Sequence, residues 1–153
     1  MSMKLESAAF AEGEMIPSVH TCDGKDVSPP LSWTDPPEGT ASFALIADDP
    51  DAPGRTWVHW IAWNVPAGTR ALAQGVPKSA EAPDGTRQGM NDFRRMGYGG
   101  PCPPSGTHRY FFRLYALDTL LDLPSRATRR DLEGAMRGHV LAEATLMGKY
   151  RRS

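Results

Sequence analysis

The chain carries only two cysteines in 153 residues, and no excess of either charge, with 17 Lys and Arg against 18 Asp and Glu. No apolar run is longer than a strand. Each shortage excludes something. Two cysteines cannot build the multi-bridge framework that holds a small secreted domain together. Balanced charge argues against a nucleic-acid partner, because a surface that follows phosphates needs a basic excess. Strand-sized apolar runs cannot span a bilayer, so no membrane insertion is expected. The opening MSMKLESAAFAEGEMI is interrupted by Glu6, Glu12 and Glu14 and lacks an apolar core, so no signal peptide is expected. These exclusions leave a cytoplasmic protein. The late basic cluster of Arg126, Arg129, Arg130, Arg137, Lys149, Arg151 and Arg152 reads as a solvated helix face and tail.

The length suits one domain, residues 1–153, large enough to bury a core unaided. Glycine and proline are plentiful, 15 and 14 residues, and they cluster in SPPL, DPPEG, DDPDAPG, VPAG and GGPCPPSG without a repeat period. Between the clusters lie strand-type runs. SFALIADD (42–49) is apolar at nearly every position, as in a strand covered on both faces. WVHWIAWNV (57–65) and HRYFFRLYAL (108–117) are rich in aromatic and β-branched residues and bounded by turn signals. Short strands joined by turn-rich connections predict a mainly β fold, an antiparallel sandwich or Greek-key sheet. Helix is expected near the C-terminus, where Leu132, Met136, Val140, Ala144 and Met147 recur at three-to-four spacing. Thr128 and Asp131 resemble a capping pair there, and Gly134 and Gly138 divide the stretch into one helix or two short ones.

Strand alternation selects the candidate chemistry. His108 and Tyr110 project from one face with Phe112, Leu114 and Ala116, whereas Arg109 points away. His59 shares a face with Trp57, Ile61 and Trp63 on the same rule. An imidazole among such neighbours is partly desolvated, which disfavours its charged form unless an anion or carboxylate compensates. Asp48 and Asp49 close an apolar strand, and Pro50, Asp51 and Pro53 stiffen the turn after it. Each residue alone has a structural explanation, as a hydrogen-bonded core histidine, a turn acid or a rim tyrosine. Together they suggest a pocket of imidazole and phenol groups with a carboxylate to orient one imidazole.

DPDAP (49–53), HW (59–60) and GGPCPPSGTHRY (99–110), in this order, resemble the phosphatidylethanolamine-binding protein family, in its bacterial and archaeal branch often described as Raf-kinase-inhibitor-like. CDGKDVSPPLSW (22–33) and YALD (115–118) extend the resemblance over almost the whole chain. It implies a central antiparallel Greek-key sheet, a second smaller sheet and short peripheral and C-terminal helices. It also implies a pocket for small anionic or phosphorylated ligands, such as phosphate or a phosphoryl head group. The carried-over pocket residues are Asp49, His59, His108 and Tyr110, with Asp51, Pro53, Gly100 and Pro104 as its wall. The expected function is non-enzymatic ligand binding, without cofactor or metal. Relatives from eukaryotes carry two adjacent histidines where Val58 and His59 stand, so kinase inhibition does not transfer by this motif.

Other readings stand beside it. The pocket rim could serve as an interaction module that inhibits a kinase or protease. Cys102 with His108 could form a Cys–His hydrolase, against which proline on both sides of Cys102 leaves no evident oxyanion hole. His59, His108, Asp49 and a cysteine have the donor types for zinc but no closely spaced ligand pair. Cys22 and Cys102 are either two buried thiols or a disulfide between segments that the resemblance brings near the pocket. His20 and His139 read as a loop and a helix-surface residue. Trp33 and Trp60 read as core or rim aromatics, the latter suiting a homodimer.

Overall fold

The structure is a computed structural model that describes residues 2–152. Its strands are β1 (Lys4–Glu6), β2 (Leu31–Thr34), β3 (Ser42–Asp49), β4 (Trp57–Pro66), β5 (Ala71–Leu72), β6 (Arg87–Gln88), β7 (His108–Leu117) and β8 (Val140–Tyr150). A single α-helix among the described residues, α1 (Arg129–Met136), lies between β7 and β8. The strands form two antiparallel sheets, one of three strands in the order β1-β2-β5 and one of five in the order β6-β4-β3-β7-β8. The expected mainly β architecture with a large and a small sheet is the one observed.

Central placement explains the apolar run 43–47 within β3, every residue of which is buried. One face of the large sheet presents Phe43, Leu45, Trp60, Tyr110, Phe112 and Leu114 to Leu5, Leu31 and Trp33 of the small sheet. The opposite face presents Ala44, Ile46, Ile61 and Trp63 to Leu121, Ala127, Leu132 and Met136, so α1 and its approach cover it. Removing such side chains from water drives the packing of these layers, at about 25 cal/mol per Å² of apolar surface. Trp33 and Trp60 are therefore core residues, 2% and 0% exposed, and neither supplies the exposed aromatic expected to suit a dimer.

The C-terminal helix is half as long as its spacing predicts. It starts as expected, with the Asp131 carboxylate accepting the Thr128 backbone N–H at 3.0 Å. It stops where Gly138 takes φ +84°, the left-handed geometry that ends helices. Residues from Val140 onward form β8 instead, pairing Gly148 with Tyr110, Leu146 with Phe112 and Ala144 with Leu114. The same stretch also carries a period of two, burying Ala144, Leu146, Gly148 and Tyr150. Two small residues mute that pattern, and Gly148 is small for a reason. A Cβ there would meet Ile16 Cγ1 at 2.6 Å and Phe10 Cε2 at 2.7 Å. The N-terminal segment runs parallel along the edge of β8 here, with the Gly13 and Ile16 amides donating to Met147 and Lys149 carbonyls, each at 2.7 Å.

The two remaining histidines also differ from expectation. His20 ends a 3-10 turn and is buried, its Nδ1 2.9 Å from the Val27 carbonyl. His139 lies in the turn after α1 rather than on a helix, beside Asp118 at 2.8 Å. Cys22 and Cys102 form a disulfide with Cα atoms 5.4 Å apart, which decides between bridge and thiols.

Candidate functional site

The site forms where β3 ends, β7 begins and β4 departs from regular pairing. Asp49 pairs with Trp57 and Asp48 with Val58, but Ala47 pairs with Trp60, so His59 is an extra residue in β4. This bulge corrects the strict alternation expected from sequence. His59 turns to the same side as Trp57, whereas Ile61 and Trp63 pack on the far face of the sheet. Bulges commonly re-aim a side chain in this way. Asp48 and Asp49 separate by ordinary alternation. Asp48 is buried against Arg113 and Arg129 on the far side, and Asp49 faces the site.

His108 Nδ1 lies 2.6 Å from Asp49 Oδ2, and both side chains are less than a tenth exposed. The carboxylate accepts Nδ1–H, which fixes the tautomer and leaves Nε2 uncommitted. His59 is held equally firmly. Its Nδ1 is 2.7 Å from the Gly99 carbonyl, and the Gly99 amide donates back to the His59 carbonyl at 2.9 Å. Burial lowers the His59 pKa from 6.5, opposed by the Gly99 carbonyl and the nearby negative charge of Asp49. Tyr110 lies between the imidazoles, edge-on to His59 with centroids 5.2 Å apart and roughly parallel to His108 at 6.4 Å. Its hydroxyl is buried and has no partner at hydrogen-bond distance, the Asp49 carboxylate being the nearby acceptor that bears on it. Burial first, and the charge of Asp49 second, push its pKa well above the ordinary value, so it remains a donor.

These groups open onto a cavity of about 310 Å³. The structure brings Asp49, His59, His108, Tyr110, Pro53 and Pro104 together there. It leaves Asp51 and Gly100 out of the lining. The Asp51 carboxylate accepts the Arg109 backbone N–H and two guanidinium N–H groups, each at 2.9 Å. Those side-chain hydrogen bonds chiefly hold its pKa down to about 2, and the contact clasps the start of β7 to the turn after β3. Gly100 lines a neighbouring cavity and donates its amide to Asp26 at 2.7 Å.

Ala52, Phe93, Cys102 and Pro103 also line the cavity without having been singled out from sequence as pocket wall. Phe93 arrives on a loop that runs beside β4. Asp92 holds that loop through its N–H to the Val58 carbonyl and its carboxylate to the Val58 N–H, at 2.9 and 2.7 Å. Nothing local in the sequence marks Phe93. Cys102, as half of a disulfide, has no thiolate to offer as a nucleophile. Among the described residues no group of three or more His, Cys, Asp or Glu side chains is placed to hold a metal ion.

Residues 6–151 match the family profile described as phosphatidylethanolamine-binding protein. A UPF0098 protein of Methanothermobacter thermautotrophicus is 55% identical over 150 residues, covering 98% of this chain and 99% of that protein. A solved Chlamydia trachomatis structure, described as a phosphatidylethanolamine-binding protein homolog, superposes with a TM-score of 0.91 at 39% identity, covering 99% of both chains. YbcL of E. coli, described as a new member of the mammalian PEBP family, gives a TM-score of 0.93 at 33% identity with complete coverage of both chains.

Proposed function

The chain belongs to the phosphatidylethanolamine-binding protein family, and we propose that it is a non-enzymatic binding protein for a small anion such as phosphate or a phosphoryl head group. The observation that carries this reading is the buried, unpartnered hydroxyl of Tyr110 beside two fixed imidazoles. A buried polar group without a partner costs about 1–3 kcal/mol. An anionic oxygen seated against the hydroxyl removes that cost.

The proton inventory narrows the ligand. Both Nδ1–H groups are committed, to Gly99 and to Asp49, so each Nε2 donates only when its ring carries a second proton. Each Nε2 therefore meets phosphate through a P–OH donated to a neutral ring or through an oxygen facing an imidazolium, and because the dianion carries one P–OH for two Nε2 atoms, engaging both takes an added proton on the ligand or on a ring. In both cases binding favours the protonated system. Asp49 acts through His108, not on the anion, since a carboxylate facing it would repel. Arg55 stacks 5.4 Å over the Trp57 ring, its charge shared with the Asp92 carboxylate 3.4 Å away. In a reducing compartment the disulfide would be exposed to thiols and would not be a permanent tie.

The test follows the imidazole resonances of His59 and His108 by NMR while phosphate, phosphoethanolamine and phosphotyrosine are titrated in. Both imidazoles are expected to shift saturably, and His108→Ala to lose the response. Histidines that ignore all three ligands would refute the reading.

A further inference from the structure

Beside the anion pocket lies a second cavity, of about 430 Å³, and Phe93 and Cys102 belong to the walls of both. Cys22 and Met96 give it a sulfur-rich wall, and Lys78 and Arg95 stand at its rim. Its acid, Asp26, is already engaged by the Gly100 amide. Lys78 Nζ meets only a backbone carbonyl, that of Asp26 at 3.2 Å, and Arg95 has no carboxylate partner among the described residues. The cavity thus presents a disulfide with two cations against one carboxylate, a net positive lining that favours an anion.

The bridge also has an unusual mechanical task. The Pro101 carbonyl accepts the Cys22 amide at 3.1 Å, but the described residues show no hydrogen bond to any residue from Cys102 to Thr107. That segment supplies Pro103 and Pro104 to the anion pocket, and apart from packing it is tied down by the sulfur–sulfur bond.

We propose that the second cavity is a docking site for a small carboxylate-bearing thiol, and that exchange there releases the Cys102–Thr107 segment and weakens the anion pocket. The consequence for anions rests on the function proposed above. The incoming thiolate attacks Cys22 Sγ, on the exposed side of the bridge, while Cys102 is half-buried. A bond forms between the two sulfurs, the Cys22–Cys102 bond breaks, and Cys102 leaves with the electron pair and takes a proton from water. A second thiolate then attacks the sulfur of the first, a bond forms between the two small thiols, the bond to Cys22 breaks, and Cys22 leaves with the electron pair and takes up a proton. Two thiols are oxidised to one small disulfide as the bridge gains two electrons and two protons.

Three measurements on the whole chain test this. Phosphate affinity is compared between the oxidised protein and the dithiothreitol-reduced one, with thiol titration confirming reduction. Backbone order parameters of Ser105, Gly106 and Thr107 are followed in both forms, and amide protection in β3 reports folding. Reduction rates by glutathione and by 2-mercaptoethanol are compared in wild type and in Lys78→Ala/Arg95→Ala. Reduction is expected to weaken phosphate about tenfold, because the wall must be ordered anew on each binding event. The order parameters should fall from about 0.85 to below about 0.6. The glutathione-to-mercaptoethanol rate ratio should drop about threefold in the double variant. A reduced protein with unchanged affinity and order overturns the release. An unchanged rate ratio overturns the docking site. Loss of β3 protection on reduction would show global unfolding and overturn local release as well. If the oxidised protein ignores phosphate, the anion reading falls, while order parameters and rate ratio still decide the exchange proposal.

Discussion

Replacing Tyr110 by phenylalanine separates a ligand-binding hydroxyl from a structural one, because the two roles predict opposite signs. In the anion-free protein the hydroxyl is buried without a partner, while the ring packs in the core between the sheets. Tyr110→Phe keeps the ring and removes the unsatisfied group, so in phosphate-free buffer the variant should gain about 1 kcal/mol, within a range of about 1–3 kcal/mol. With phosphate the order reverses. A hydrogen bond to a charged partner contributes about 1.5–3 kcal/mol, so the variant should bind about 10- to 150-fold more weakly. At a phosphate concentration of about 100 Kd for the wild type, ligand linkage adds about 2.7 kcal/mol to its stability. A variant binding about thirtyfold more weakly gains only about 0.9 kcal/mol at that concentration. Urea denaturation with and without phosphate should therefore show the two stability curves crossing. A variant less stable than wild type in phosphate-free buffer, with phosphate affinity unchanged, would refute the reasoning and make the hydroxyl a structural group.

Other outcomes follow from the same geometry. Burial holds the folded-state pKa of His59 below 6.5, so the unfolded chain binds more protons in that interval, and stability without anion should fall as pH drops from about 6.5 toward the depressed value. Saturating phosphate should remove this fall, and phosphate affinity should rise over the same interval, both measurable by urea midpoints and titration at a series of pH values. Leu132→Ala empties a fully buried position of α1 and should cost about 2–5 kcal/mol. Phosphate affinity should stay within about twofold, because that helix covers the sheet face opposite the pocket. Gly148→Ala puts a methyl group against Ile16 and Phe10, and should destabilise by about 1–3 kcal/mol and loosen the N-terminal segment, seen as faster amide exchange at Gly13 and Ile16.

The sequence alone specified most of β7 and much of the site. His108, Tyr110, Phe112 and Leu114 share one face because side chains alternate along any regular strand, and nothing distant alters that. The apolar run 43–47 of β3 announced burial on both faces, since a strand with solvent on one side would alternate. The motif order across the chain carried the family. Three features depended on the tertiary structure. The inserted residue at His59 is a mismatch between β4 and its partner, so it exists only once the strands are paired. Val140–Tyr150 satisfied two periodicities, and the choice of strand over helix came from the open edge of β7 and from the Gly148 position that Phe10 and Ile16 fill. Phe93 and the Cys22–Cys102 bridge reach the pocket from segments far apart in sequence. Local residue patterns record the faces of an element but not which remote chain will be packed against them, because that contact is decided by the free energy of the whole fold.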